Sequence, residues 1–412
     1  MGVTDSYAPF ETAPFEKSLT RVLEWAKKQD YEGYSKFDAF NSPIVTALCL
    51  GNKYLRMAAT VLWSRSFLNL RPLLLTKKYR NPKGIALFSM AKLKRYAWSG
   101  DEADLSEANE LLNWLDLNDA KGAYHGRCWG YDHPWQALHY YAPRWSPNIV
   151  VTGNVAHAFL DGFEATGEER WFDVARGSIE FILKDLTATL NEPDMRNIGY
   201  IPGASWGALN NSGLAASVMM RVWKQTGEER LHEEARRLIN FLVDKQTDYG
   251  AWFYAWPAKT SNVAHDNYHT GNVLDWILDY ITLSGDKTFM PNYLKGLEYY
   301  RTHLFTATGA PKWRHNRSFP HDVHGSAQGI VTFSKAATEV DSSWFDQAVK
   351  VAGWAVNNMQ DTEGWFIYQK GRIWTKRFTL MRWCNGWMSF GLASLLKAKR
   401  DIDMGVAVSC VE

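Results

Sequence analysis

Two segments of the chain carry similar acid–base residues in succession. His265-Asp266-Asn267-Tyr268-His269-Thr270-Gly271 is followed by His321-Asp322-Val323-His324-Gly325, and a third cluster lies upstream, Trp129-Gly130-Tyr131-Asp132-His133-Pro134-Trp135-Gln136. Histidine is the side chain best suited to moving protons near neutral pH. His269, His324 and the neighbouring Tyr268 are therefore candidates for a base and an acid. Asp132, Asp266 and Asp322 could instead supply the carboxylate pair of a glycoside hydrolase, which needs its two carboxyl groups about 5–5.5 or 6.5–9.5 Å apart. A metal is a weaker reading of the same clusters. No Cys or Glu completes a familiar ligand spacing, so neither metal nor cofactor is expected. Basic residues stand close by in sequence: Lys312, Arg314, Arg317, Lys376, Arg377 and Arg382. With tryptophans beside them, such cations can stack on sugar rings and pair with carboxylates or sulfates.

These residues need a scaffold, and an internal repeat supplies it. Ala165-Thr166-Gly167-Glu168-Glu169-Arg170 returns 60 residues later as Gln225-Thr226-Gly227-Glu228-Glu229-Arg230. Related turns are Ser99-Gly100-Asp101-Glu102 and Ser284-Gly285-Asp286-Lys287. The glycine suits a helix C-terminus, and the acids suit the first turn of the next helix. A second set of glycines interleaves with the first: Gly84, Gly153, Gly213, Gly271, Gly325 and Gly386. Each opens a segment of small and apolar residues, as a helix buried on all sides would. The segments after the acidic turns are amphipathic. Six such pairs predict an all-α fold, an (α/α)6 toroid of six helical hairpins spanning 51–400, with residues 1–50 as an N-terminal helix and arm and 401–412 as a tail. An open α-solenoid is the structural alternative.

In a toroid the long connections share one face. Those at about 118–152, 186–212, 247–270, 306–324 and 361–385 hold ten of the 20 Trp and eight of the 11 His, His139 among them. Loops this long and aromatic are expected to be ordered and functional. The site is therefore expected at that mouth, with His269, Tyr268, His324, Asp266 and Asp132 as catalytic candidates. Tyr131, His133, Trp135, Asn154, Trp206, Asn211, Asn272, Arg314, Arg317, Arg382 and Trp383 are expected to bind substrate. Inner-helix N-termini would add amides favouring an anionic or hydroxyl-rich ligand.

Composition narrows the partners. Lys plus Arg is 46 and Asp plus Glu is 44, a net charge of +2, which argues against a dedicated nucleic-acid binder. No run is apolar enough to span a membrane, and residues 1–20 do not read as a secretory leader. The opening Met1-Gly2-Val3-Thr4-Asp5-Ser6 formally fits a myristoylation pattern, with no second lipid or basic signal to support it. Cys49, Cys128, Cys384 and Cys410 are widely spaced, as free thiols in a reducing compartment would be. A cytoplasmic location is expected. Oligomeric state is not readable.

The string Tyr268-His269-Thr270-Gly271-Asn272, with His321-Asp322-Val323-His324-Gly325 one repeat later and Arg382-Trp383 ahead of the last inner helix, resembles polysaccharide-biosynthesis proteins of the VpsJ type. The chain also looks like the catalytic domain of heparosan glucuronyl C5-epimerases, without their β domains. The resemblance implies an enzyme on a uronate-containing, anionic glycan. It would abstract the C5 proton with His269 and return it from Tyr268 or His324, giving epimerisation or, if the C4 substituent leaves, lyase elimination. A catalytically silent glycan-binding protein is the alternative outside enzymology.

Overall fold

The computed structural model describes residues 11–120, 122–137, 140–204, 206–261 and 263–406. The myristoylation pattern, His139 and Cys410 lie outside them. The chain folds into an all-α (α/α)6 toroid. Five hairpins follow in order: α4 (Pro82–Ser99) with α5 (Glu102–Leu117), α6 (Ile149–Thr166) with α7 (Glu169–Glu180), α8 (Leu209–Thr226) with α9 (Glu229–Asp244), α10 (Asn267–Ser284) with α11 (Met290–His303), and α12 (Val323–Glu339) with α13 (Phe345–Met359). Even-numbered members form the inner ring, closed where α14 (Trp387–Asp403) packs on both α12 and α4. Gly167 and Gly227 end their helices at φ 70° and 66°, left-handed conformations that glycine adopts without strain.

The second glycine set has a packing cause. A Cβ on Gly153 would lie 2.5 Å from Leu214, one on Gly213 2.6 Å from Trp276, and one on Gly271 2.6 Å from Gln328. Each glycine lets the next inner helix approach closely. One continuous apolar core follows the ring, running from Phe15 and Leu19 through Trp171, Phe241 and Phe333 to Leu396.

The sixth outer helix comes from the other end of the chain. α1 (Ala13–Lys28) buries Phe15, Leu19, Val22, Leu23 and Ala26 in the common core and packs on α14 and α13. Residues 11–50 are therefore not a separate arm: α1 belongs to the ring, and the break expected at residue 50 falls within the connection that follows it. That connection, 29–81, is the sixth long link between an outer and an inner helix. It holds the short helices α2 (Pro43–Leu48) and α3 (Lys53–Arg65). Glu32–Gly33 pairs with Tyr79–Arg80 and closes its base. Cys49, Cys128 and Cys384 are buried free thiols.

Candidate functional site

α10 starts where Asp266 caps it, Oδ1 accepting the His269 amide at 3.0 Å. The other carboxylate oxygen stands 2.7 Å from His269 Nδ1. A proton on Nδ1 satisfies that contact and leaves Nε2 as the basic nitrogen. α12 repeats the cap without the pairing. Asp322 accepts the His324 amide at 3.0 Å and Trp383 Nε1 at 2.8 Å on one oxygen, and Gln369 Nε2 at 2.8 Å on the other. Both ring nitrogens of His324 are buried with no hydrogen-bond partner among the described residues. Tyr268 lies between the histidines, its ring centre 4.4 Å from His269 and 4.8 Å from His324, nearly parallel to the latter. Trp383 at 4.3 Å and Trp387 at 4.6 Å complete an aromatic box around His324.

Three cations surround this box. Lys36 Nζ lies 3.7 Å from the Trp383 ring centre and 5.7 Å from that of Tyr268. Lys83 Nζ is 5.0 Å over Trp387, and the Arg382 guanidinium is 5.6 Å over Trp383 and 5.0 Å over Tyr131. All three are buried. None forms an ion pair with a carboxylate among the described residues, and Arg382 Nε is orphaned. Burial pushes the Lys36 ammonium from its ordinary 10.5 down to about 8, with Asp322 and Asp266 opposing. Burial also drives Lys83 well down, with Arg382 adding repulsion. His324 falls well below the ordinary histidine range, first through burial and then through Lys83, Lys36 and Arg382. Buried cations without partners are costly, and an anion bound among them would relieve that cost.

Lys36 and Lys83 do not stand out in the sequence. Lys83 immediately precedes an inner glycine but otherwise looks like a surface lysine. Lys36 lies on the 29–81 connection, which a repeat search passes over. Asp38 holds that connection in place, salt-bridged to Arg71 at 2.9 Å and bonded to Trp63 Nε1 at 2.9 Å.

The third cluster forms the adjoining wall. Asp132 Oδ1 is 2.9 Å from His133 Nδ1 and also takes bonds from Ser35 and Asn81, while its Oδ2 is buried without a partner. Tyr131 stacks on His133 at 5.3 Å and meets Tyr200 hydroxyl to hydroxyl at 3.0 Å. Trp135 packs edge-on against Tyr200. Trp206 packs on Tyr254, which in turn covers His269 at 4.4 Å.

Four expected ligand residues lie elsewhere. Arg314 and Arg317 bond each other's backbone across a tight turn, and Arg317 points to solvent. Arg317 does not join the cations at His324, whereas the Arg314 backbone bridges to that of Asp266. Asn154 and Asn272 sit more than a turn into their helices and line a cavity at the opposite end of the ring. Asn211 is fully buried in the wall near the Ile198 carbonyl. His265 and His321 serve the loops: each gives Nδ1 to a backbone carbonyl, of Trp252 and Pro311, at 2.7 Å.

Beside His269 and Asp266 the free volume is about 10 Å³, room for one water at most. A cavity of about 400 Å³ opens among the C-terminal halves of the inner helices and reaches Trp387, which also packs on His324. It carries an internally paired chain of polar groups: Arg221 to His157 at 3.0 Å, His157 to Ser217 at 3.2 Å, and Ser217 to Asp279 at 2.6 Å. We place the candidate site at the mouth because its cations and His324 are unsatisfied, whereas most cavity charges are paired. The segment carrying Lys36 forms its roof.

No family model and no curated protein matches the chain. Its fold is shared with solved structures at low sequence identity. Cellobiose 2-epimerase from Bacillus thermoamylovorans is 12% identical, with a TM-score of 0.63, covering 78% of this chain and 88% of that one. A D-mannose isomerase is 10% identical, with a TM-score of 0.63, covering 95% and 100%. An inactive variant of the α-1,6-mannanase of Salegentibacter sp. HEL1_6, with two adjacent aspartates replaced by asparagine and α-1,6-mannotriose bound, is 14% identical, with a TM-score of 0.58, covering 78% and 89%. These likenesses establish the toroid.

Proposed function

We propose that this chain is a sugar epimerase that inverts a uronate residue of an anionic glycan by proton transfer at C5. The observation carrying this reading is the set of three buried, unpaired cations, Lys36, Lys83 and Arg382, gathered around His324. A carboxylate set among them would be neutralised, which acidifies the adjoining C5–H. His269, its Nδ1 proton held by Asp266, takes the C5 proton on Nε2. The C–H electron pair moves into the carboxylate as an enediolate. A proton delivered to the opposite face of C5 completes inversion. Tyr268, whose hydroxyl burial keeps protonated, is the nearest donor, and neutral His324 is the other acid–base group beside it.

The fold neighbours favour a second reading, epimerisation or isomerisation at C2 of a reducing sugar, using the same two histidines. A mannanase-like hydrolase is less favoured. This chain has no two adjacent aspartates, and both oxygens of Asp266 and Asp322 are engaged.

The test is incubation with uronate glycans in deuterated water, followed by NMR. Deuterium at C5, lost in His269→Asn, supports the proposal. Deuterium at C2 of a free reducing sugar would establish the second reading in its place. New reducing ends without deuterium would establish hydrolysis, and glycan binding without turnover in any of these assays would establish a binding protein.

A further inference from the structure

The connection that roofs the mouth has an outer side of unusual character. Leu50 is 82% exposed, Tyr54 77%, Leu62 72% and Leu68 70%, with Leu48, Phe67, Leu73 and Leu75 all above 60%. A run of this kind is far beyond the scattered exposed leucines of an ordinary surface. It is also ordered by period. In α3, Tyr54, Leu55, Ala58, Val61, Leu62 and Arg65 are exposed on one face of the helix, with Lys53 exposed at its start. The opposite face faces the protein through Arg56, bonded to Gln136 at 3.0 Å, and Trp63, bonded to Asp38. α3 is thus an amphipathic helix mounted with its apolar face outward, and it has no buried residue.

The charge around this face has one sign. No acidic residue occurs between Asp38 and Asp101. Lys53, Arg65, Lys77 and Lys78 are exposed at the edges of the patch. α3 has 13 residues, too few to span a bilayer but enough to lie in its interface. Basic residues flanking exposed Leu, Phe and Tyr suit a surface of anionic headgroups over acyl chains. A second copy of the chain fits less well, since a symmetric contact through this patch would bring the same basic residues against each other.

We propose that residues 44–78 form a monotopic docking surface for anionic lipid bilayers. The element that roofs the mouth would then be the element seated in the lipid, holding the mouth at the membrane surface.

The full chain is mixed with vesicles of phosphatidylglycerol and phosphatidylcholine, or of phosphatidylcholine alone, and floated on a density gradient. Co-flotation with the anionic vesicles, weakened by salt, is expected. Leu62→Asp with Leu68→Asp should lower the bound fraction by about tenfold or more. Both positions are exposed, so the circular dichroism and melting of this variant should match the parent. Failure to bind anionic vesicles, or binding unchanged in the double variant, overturns the proposal. Light scattering that shows a dimer in the parent and a monomer in the double variant would also overturn it and assign the patch to a second copy.

Discussion

Replacing Lys36 with methionine should stabilise the protein while impairing ligand binding. Lys36 is buried without an ion-pair partner, and its ammonium sits at about 8 instead of 10.5, chiefly because burial disfavours the charge. That displacement corresponds to roughly 3 kcal/mol of penalty carried by the native state at pH 7. Methionine has a similar length and no charge, so the penalty disappears. The contact over Trp383 at 3.7 Å is lost with it, a loss of about 1–2 kcal/mol. The net expectation at pH 7 is a gain of roughly 1–2 kcal/mol. Its pH dependence identifies the cause. Because the folded pKa is lowered, the native parent sheds its proton before the unfolded chain does. Parental stability therefore rises between about pH 8 and 10.5, where the unfolded chain still binds the proton. The advantage of Lys36→Met should shrink by about 2 kcal/mol from pH 7 to pH 10. Urea unfolding at the two pH values measures this directly. In the same variant, a uronate oligosaccharide should bind roughly 100-fold more weakly by calorimetry, as expected for a buried charge pair that loses one member. A variant less stable than the parent at pH 7, or an offset that does not change with pH, would refute the claim that Lys36 is an unpaired buried charge.

Asp266→Asn keeps a competent helix cap but presents an amide N–H to His269 Nδ1, which moves the imidazole proton to Nε2. Turnover should fall by about 10³–10⁴, as when the orienting carboxylate of a catalytic histidine is neutralised, with melting changed by only a few degrees, and nitrogen-15 shifts of His269 should report the exchanged tautomer. Gly271→Ala places a methyl 2.6 Å from Gln328 Cγ and 2.7 Å from the Tyr300 hydroxyl; overpacking here should cost about 1–3 kcal/mol in urea unfolding. Burial pushes the Cys128 thiol up to about 12 and raises Cys384 as well. Native protein at pH 8 should therefore leave both unlabelled by iodoacetamide, as mass spectrometry would show, and unfolded protein should label fully.

The features readable in the sequence are local and periodic. The turns at Gly167 and Gly227 and the inner glycines follow short-range rules of helix geometry, so the toroid could be foreseen from them, whereas the start of α10 at its Asp266 cap lies a turn ahead of Gly271. His269, Tyr268 and His324 could be singled out because they stand in two similar His-Asp strings just ahead of the inner glycines Gly271 and Gly325. Lys36 could not, because nothing near it in sequence distinguishes a lysine that a roof segment turns inward. The partnership of α1 with α14 joins stretches more than 350 residues apart and leaves no local trace. Arg317, Asn154 and Asn272 lie in the stretches of sequence that lead to the mouth, but a tight turn leaves Arg317 in solvent and the helix rise carries the asparagines past it.

The helix that completes the ring is also synthesised before every other helix in it. Until the ribosome has made residues near 400, the apolar face of α1, with Leu19, Val22 and Leu23, has no α14 to cover it. Five hairpins can form as they emerge, each from neighbouring segments, but the ring cannot shut until the last helix arrives. The junction of α1 with α14 is thus a late seam in an otherwise sequentially built structure. A nascent chain stalled before α14 would leave that face uncovered, open to chaperones and to the apolar seams of other unfinished copies.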